Sequence, residues 1–187
     1  MTDLLECDYG PLRGLIGAWK GDKGLDVSPE PDGTEENPYY ETILIEPAGS
    51  VKNAESQLIT MLRYHQVVSR KSNDEVFHDQ IGYWMWDTAQ STVVQSLAIP
   101  RAVCVLAGGK YTGDPGEMPV SFQVHAALGH EDWGIVQSPF MRDNARTVGF
   151  EHELRIDGDR LWYAETTKLE IYGRSFDHTD TNELTRQ

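Results

Sequence analysis

Few residues in this chain have both the type and the setting to do chemistry. His78 stands next to Asp79, and that carboxylate or Asp177 could pair with it as acid and base; alternatively His78 is a hydrogen-bonded rim histidine. His178, between Asp177 and Asp180, reads from the residues alone as an ion pair in an acidic tail. Arg101 follows Pro100 amid apolar neighbours (Leu97, Ile99, Val103, Val105), where a guanidinium needs a carboxylate. That carboxylate belongs either to a bound acid or to one of the protein's own 30 acidic side chains. His65, His125, His130 and His152 lack metal spacing, and Glu151-His152-Glu153 and Gly129-His130-Glu131 read as solvated rims. No Gly-x-Ser-x-Gly, phosphate loop or dinucleotide fingerprint is present, and Asp157-Gly158-Asp159 has too few calcium ligands to be more than a turn.

Bulk properties narrow the setting. The 187 residues read as one domain, 1–187, with 39% apolar and 10% aromatic content, enough for a core without staples. A formal charge of -14 excludes nucleic acid and anionic membrane as partners, because both require clustered cations. No long apolar run could span a bilayer, and Met-Thr-Asp-Leu-Leu-Glu-Cys has no basic n-region, so no signal peptide is expected. Two cysteines, Cys7 and Cys104, make no disulfide framework, and a cytoplasmic location is expected.

The elements that must position these groups are extended. Leu15-Ile16-Gly17-Ala18-Trp19-Lys20-Gly21 places Gly17, Trp19 and Gly21 on one face of a strand, where an indole can plug a hollow. Residues 22–38, crowded with Asp, Gly and Pro, predict a loop long enough to serve as a lid or mouth. Alternating segments follow at 40–46, 57–69, 75–87, 92–99, 102–106, 120–126, 150–156 and 161–169. Asp157-Gly158-Asp159 is the strongest hairpin signal. Helical turns are expected only around 11–16 and within 139–146. Sequential hairpins without a long crossover predict an all-β, up-and-down antiparallel barrel of about eight to ten strands, wide enough for one small ligand.

Three segments in register resemble the nitrobindin-like haem-binding β-barrels, also described as fatty-acid-binding-protein-like. They are the Gly17-x-Trp19-x-Gly21 segment, Phe77-His78-Asp79-Gln80-Ile81-Gly82-Tyr83, and Arg155-Ile156-Asp157-Gly158-Asp159-Arg160-Leu161-Trp162-Tyr163 followed by Phe176-Asp177-His178. The resemblance runs from about residue 10 to the end and implies a calycin-type (lipocalin-like) barrel with one pocket at its open end. The sequence departs from the family at Lys23, where the third glycine falls one position late at Gly24, and after His178, where a polar run replaces an apolar closing strand.

The resemblance further implies b-type, ferric haem with His178 as axial iron ligand, braced by Asp177 or Asp180. Phe77 and His78 would face the pocket, although strand alternation lets both do so only if a bulge or the barrel mouth intervenes. Trp19, Gly17, Gly21, Arg101 and Thr167 join them as cofactor-binding candidates. So does Arg146, which stands near a family lysine. The implied chemistry is nitric-oxide binding or conversion of peroxynitrite to nitrate. The rival reading is a haem-free carrier of a small hydrophobic acid such as a fatty acid, its head group clamped by Arg101 or Arg146. Either form is compatible with a homodimer.

Overall fold

The structure, a computed structural model, describes residues 4–187. Its strands are β1 (Gly17–Glu30), β2 (Gly33–Asn53), β3 (Gln57–Arg70), β4 (Val76–Asp87), β5 (Thr92–Ile99), β6 (Val103–Lys110), β7 (Val120–Ala127), β8 (Ile135–Gln137), β9 (Ala145–Asp157), β10 (Arg160–Ile171) and β11 (Arg174–Arg186). All but β8 form an antiparallel ring closed by the β5–β6 pairing, so the barrel has ten strands. β8 pairs only with Val103–Val105 at the other edge of β6. The seam between β6 and β7 is thin, a single pair at Gly108 and His125. Turn chemistry sets much of this order. β9 and β10 are joined through Gly158 at φ +60, and β10 and β11 through Tyr172 and Gly173, both at positive φ as a tight hairpin requires.

Residues 22–38 are not a loop. They form most of the β1–β2 hairpin, with Pro31-Asp32 as its tip. Proline is tolerated at Pro29 because the pairing of β1 with β11 reaches only to Val27, which leaves that edge free of a ladder. The hairpin tip overhangs the barrel's open end, and Arg174 on β11 holds it by donating to the backbone oxygens of Glu30 and Gly33. It serves as a wall of the mouth.

The opposite end is sealed. A 3-10 turn over Gly10–Leu15 carries buried Pro11, Leu12 and Leu15 across the barrel floor. Trp19 is fully buried there and donates its indole N–H to Leu15 O at 2.7 Å. The Arg186 guanidinium lies 4.2 Å from the centroid of the Trp19 ring and also donates to Gly14 O. A helix, α1 (Pro139–Asn144), starts at Ser138, whose Oγ accepts from Met141 N. It sits against β9.

One glycine is required by a close approach between strands. A methyl at Gly82 on β4 would stand 2.0 Å from the backbone oxygen of Ser96 on β5 and within 3 Å of the Tyr64 ring. Neither neighbour is free to give, since one is backbone and the other is buried. Gly82→Ala is expected to lower stability by about 1–3 kcal/mol, read as a lower urea midpoint at an unchanged slope.

Candidate functional site

Between the sealed floor and the hairpin mouth lies a cavity of about 350 Å³. A polar layer forms its base. Glu41, buried on β2, accepts from Gln66 Nε2 at 2.8 Å, Asn182 Nδ2 at 2.8 Å and Tyr163 OH at 3.2 Å. The Tyr39 and Tyr163 hydroxyls are 2.6 Å apart, and Tyr64 OH accepts from Gln80 and Gln95. Burial is the main influence on these acids: it raises the Glu41 carboxyl to about 7, against three hydrogen bonds that favour its charged form.

Above this layer the cavity has two unlike walls. Phe77, Leu97, Ile99, Val103, Val105 and Met141 supply an apolar wall from β4, β5, β6 and α1. Across from it stand Asp26 of β1, His178 and Asp180 of β11, and Glu165 of β10. His178 Nε2 is 2.5 Å from Asp26 Oδ1 and 3.5 Å from Asp180 Oδ2. Asn37 Nδ2 donates to the other Asp26 oxygen at 3.0 Å, so that buried carboxylate is well satisfied. Burial acts to raise Asp26, but the hydrogen bonds from His178 and Asn37 outweigh it and hold the carboxyl low. Burial likewise acts to lower His178, and the Asp26 bond together with Asp180 outweighs it and raises the imidazole. Asp180 is pushed up to about 7 and Glu165 to about 8, in both cases chiefly by burial.

Carboxyls that titrate higher when folded bind more protons in the native than in the unfolded state. Their favourable contribution is full below the unfolded value near 4.5 and is lost as pH rises through about 7 to 8. The chain should therefore be more resistant to urea at pH 5 than at pH 8.5. Glu41→Gln should flatten that slope by an amount on the order of a few kcal/mol across the range. An identical pH slope in the variant would remove Glu41 from this account.

Two comparisons bear on this architecture. Residues 8–186 match the family described as the THAP4-like, heme-binding beta-barrel domain. The chain belongs to this family. A solved structure titled "Crystal Structure of Rv2717c from M. tuberculosis" superimposes with a TM-score of 0.66 at 20% identity, covering 94% of each chain, and so shares the fold. No curated protein matches the sequence. The nitrobindin-like resemblance read from the sequence is the same family.

The cavity brings together five of the residues singled out from sequence: Phe77, His78, Arg101, Thr167 and His178. Phe77 and His78 both line it because β4 carries a bulge there: Val68 pairs with His78 while Ser69 pairs with Val76, leaving Phe77 as the extra residue. Burial lowers the His78 imidazole, which lies 3.3 Å from Gln80 Oε1. Arg101 finds no internal carboxylate among the described residues; it donates to Phe77 O at 3.2 Å from the rim.

Four of the expected residues lie elsewhere. Trp19, Gly17 and Gly21 belong to the sealed end, where a methyl on Gly17 would meet Arg186 and one on Gly21 would meet Asn182 and Leu184. Their part is to close the barrel. Arg146 is half-buried and spends its charge on Glu170 at 3.3 Å, and it does not line the cavity. His152, expected at a solvated rim, is instead buried among Trp84, Phe150 and Tyr163, with its imidazole lowered by burial to about 3 and hence neutral.

Asp26, Glu41 and Glu165 were not singled out from sequence. A bulge between Gly21 and Gly24 reverses the alternation of β1, so that Gly24, Asp26 and Ser28 turn inward after Trp19 and Gly21. The brace on His178 is therefore Asp26, distant in sequence, with Asp180 farther off. Asp177, on the outward-facing parity of β11, does not line the cavity.

These donors are compatible with a haem. One imidazole stands on the cavity wall with a carboxylate on its ring, the usual companion of a metal-bound histidine. A broad apolar surface faces it, and a guanidinium stands at the mouth.

Proposed function

We propose that this barrel binds ferric, b-type haem in the cavity beside His178. The observation that carries the reading is the placement of His178, an imidazole on a cavity wall, braced by buried Asp26 and opposed by an apolar surface. His178 would hold the iron while Asp26 orients the ring and makes it a stronger donor. Phe77, Leu97, Ile99, Val105 and Met141 would bury the flat apolar part of the group, and Arg101 would pair with a carboxylate at the mouth.

When bound, ferric haem supplies an iron centre for nitric oxide or for conversion of peroxynitrite to nitrate. The chain's own contribution is to keep bulk water off one face and to offer His78, held neutral by burial, as a hydrogen-bonding group on the cavity wall. Of the two arginines suggested as a clamp for a fatty-acid head group, Arg146 points elsewhere. The imidazole of His178 on the cavity wall, braced by Asp26, has a use as a metal ligand that a fatty acid would not exploit, and this favours haem.

Titration of the purified chain with hemin tests this. A saturable Soret band at one equivalent is expected, with no displacement of hemin by a fluorescent fatty acid. A featureless spectrum of unbound hemin would sink the reading. Because the His178 imidazole is raised, a proton competes with iron for it at higher pH than for an ordinary histidine near 6.5. Hemin affinity should thus fall as pH drops from 8.5 to 6, measured by the same absorbance; a flat profile would count against a histidine ligand.

A further inference from the structure

The register of the sheet puts three acids abreast. Asp26 on β1 stands directly opposite Asp180 on β11, and Asp180 directly opposite Glu165 on β10. All three line the cavity. Like charges facing one another across strands destabilise a sheet, and burial makes the repulsion stronger. Asp180 shares a hydrogen bond with Asp26, and burial makes Asp180 and Glu165 hold their protons to about 7 and about 8, which relieves the crowding below that range. Asp26 has Asn37 and His178, whereas Glu165 is largely buried and accepts no hydrogen bond among the described residues. Its one ionic neighbour there, His152 Nδ1 at 3.5 Å, is a neutral imidazole that lies 3.1 Å from Gln95 Oε1. Once those protons leave, a single imidazole, His178, faces three carboxylates, and a bound cation would supply further positive charge.

The donors for one are in place. One ring nitrogen of His178 and one oxygen each of Asp26 and Asp180 all lie within 4.8 Å of one another. An imidazole with two carboxylates suits a first-row divalent ion better than magnesium, which favours oxygen donors and its own water. We propose that the haem-free barrel holds a divalent transition-metal cation between His178 Nε2, Asp26 Oδ1 and Asp180 Oδ2, with Glu165 beside it as compensating charge. This cation site shares the cavity of the proposed haem site but does not depend on haem being bound there.

The test is calorimetric titration of the chelator-stripped full chain with Zn²⁺, with Mg²⁺ run in parallel. One equivalent of zinc is expected, with an affinity that Asp180→Asn lowers at least tenfold and that Glu46→Gln, at an exposed ion pair, leaves alone. Zinc should also raise the melting temperature of the wild-type chain, a readout available even where Asp180→Asn folds poorly. Absence of saturable zinc heat overturns the assignment. So does binding that survives Asp180→Asn, which would trace to the exposed His125–His130 pair. Hemin titration of the same samples separates the two readings. A Soret band without zinc binding removes the cation site alone, and zinc binding without a Soret band removes the haem reading alone.

Discussion

His178→Ala is expected to abolish the saturable Soret band, lowering hemin affinity by about 100-fold or more. Changing even a group behind a metal ligand typically costs about 10–100-fold, and here the ligand itself is removed. The variant also deprives Asp26 of its closest partner, at 2.5 Å, while Asn37 remains bonded to it. Some loss of stability is therefore expected, since a buried carboxylate stripped of a charged partner is costly. A melting curve distinguishes the two effects: folded protein without a Soret band identifies the ligand. Asp26→Asn separates them further. It keeps a hydrogen-bonding group against His178 but removes the charge, so the Soret band should persist with affinity reduced about 10-fold or more. A His178→Ala protein that keeps a wild-type Soret band would show that iron, if bound, is held elsewhere.

The second large effect concerns the closed end. Trp19→Ala is expected to cost about 3–5 kcal/mol, a large share of the roughly 5–15 kcal/mol that stabilises a domain. The indole is fully buried, its N–H satisfies Leu15 O at 2.7 Å, and its ring carries the Arg186 guanidinium. Truncation leaves a cavity, an unpaired carbonyl and a displaced charge together. Trp19→Phe keeps a ring but not the hydrogen bond, and should cost less, on the order of 1–3 kcal/mol. Because Trp19 does not line the ligand cavity, protein that remains folded should keep the hemin spectrum unchanged. A spectral shift in folded Trp19→Phe at full occupancy would contradict that separation of floor from cavity.

Much of the barrel was legible because its strands announce themselves by a period of two and its turns by residues that accept positive φ. Asp157-Gly158-Asp159 marks the β9–β10 hairpin, and the short helical turns at 10–15 and 139–144 fall where prolines open them. Residues 22–38 misled for a related reason. Proline, glycine and aspartate are read as breakers, yet Pro29 sits where one side of the strand has no ladder partner. Composition shows that a residue disfavours a strand; it does not show whether its missing N–H is needed.

By itself the sequence determined the fold class and the sealing indole at Trp19, which arise from local alternation and turn chemistry acting between neighbours in the chain. The family, and with it the attention to His178, came from resemblance to known barrels, since from its neighbours alone His178 reads as an ion pair in an acidic tail. Tertiary structure alone decided which acids meet His178. Strand register and two bulges, one after Gly21 and one at Phe77, set which faces turn inward, and each extra residue inverts the parity of the strand beyond it. Asp26, Asp180 and Glu165 come abreast through pairings among β1, β11 and β10 that span most of the chain. Sequence spacing carries no sign of such pairings, because they depend on how the ring closes.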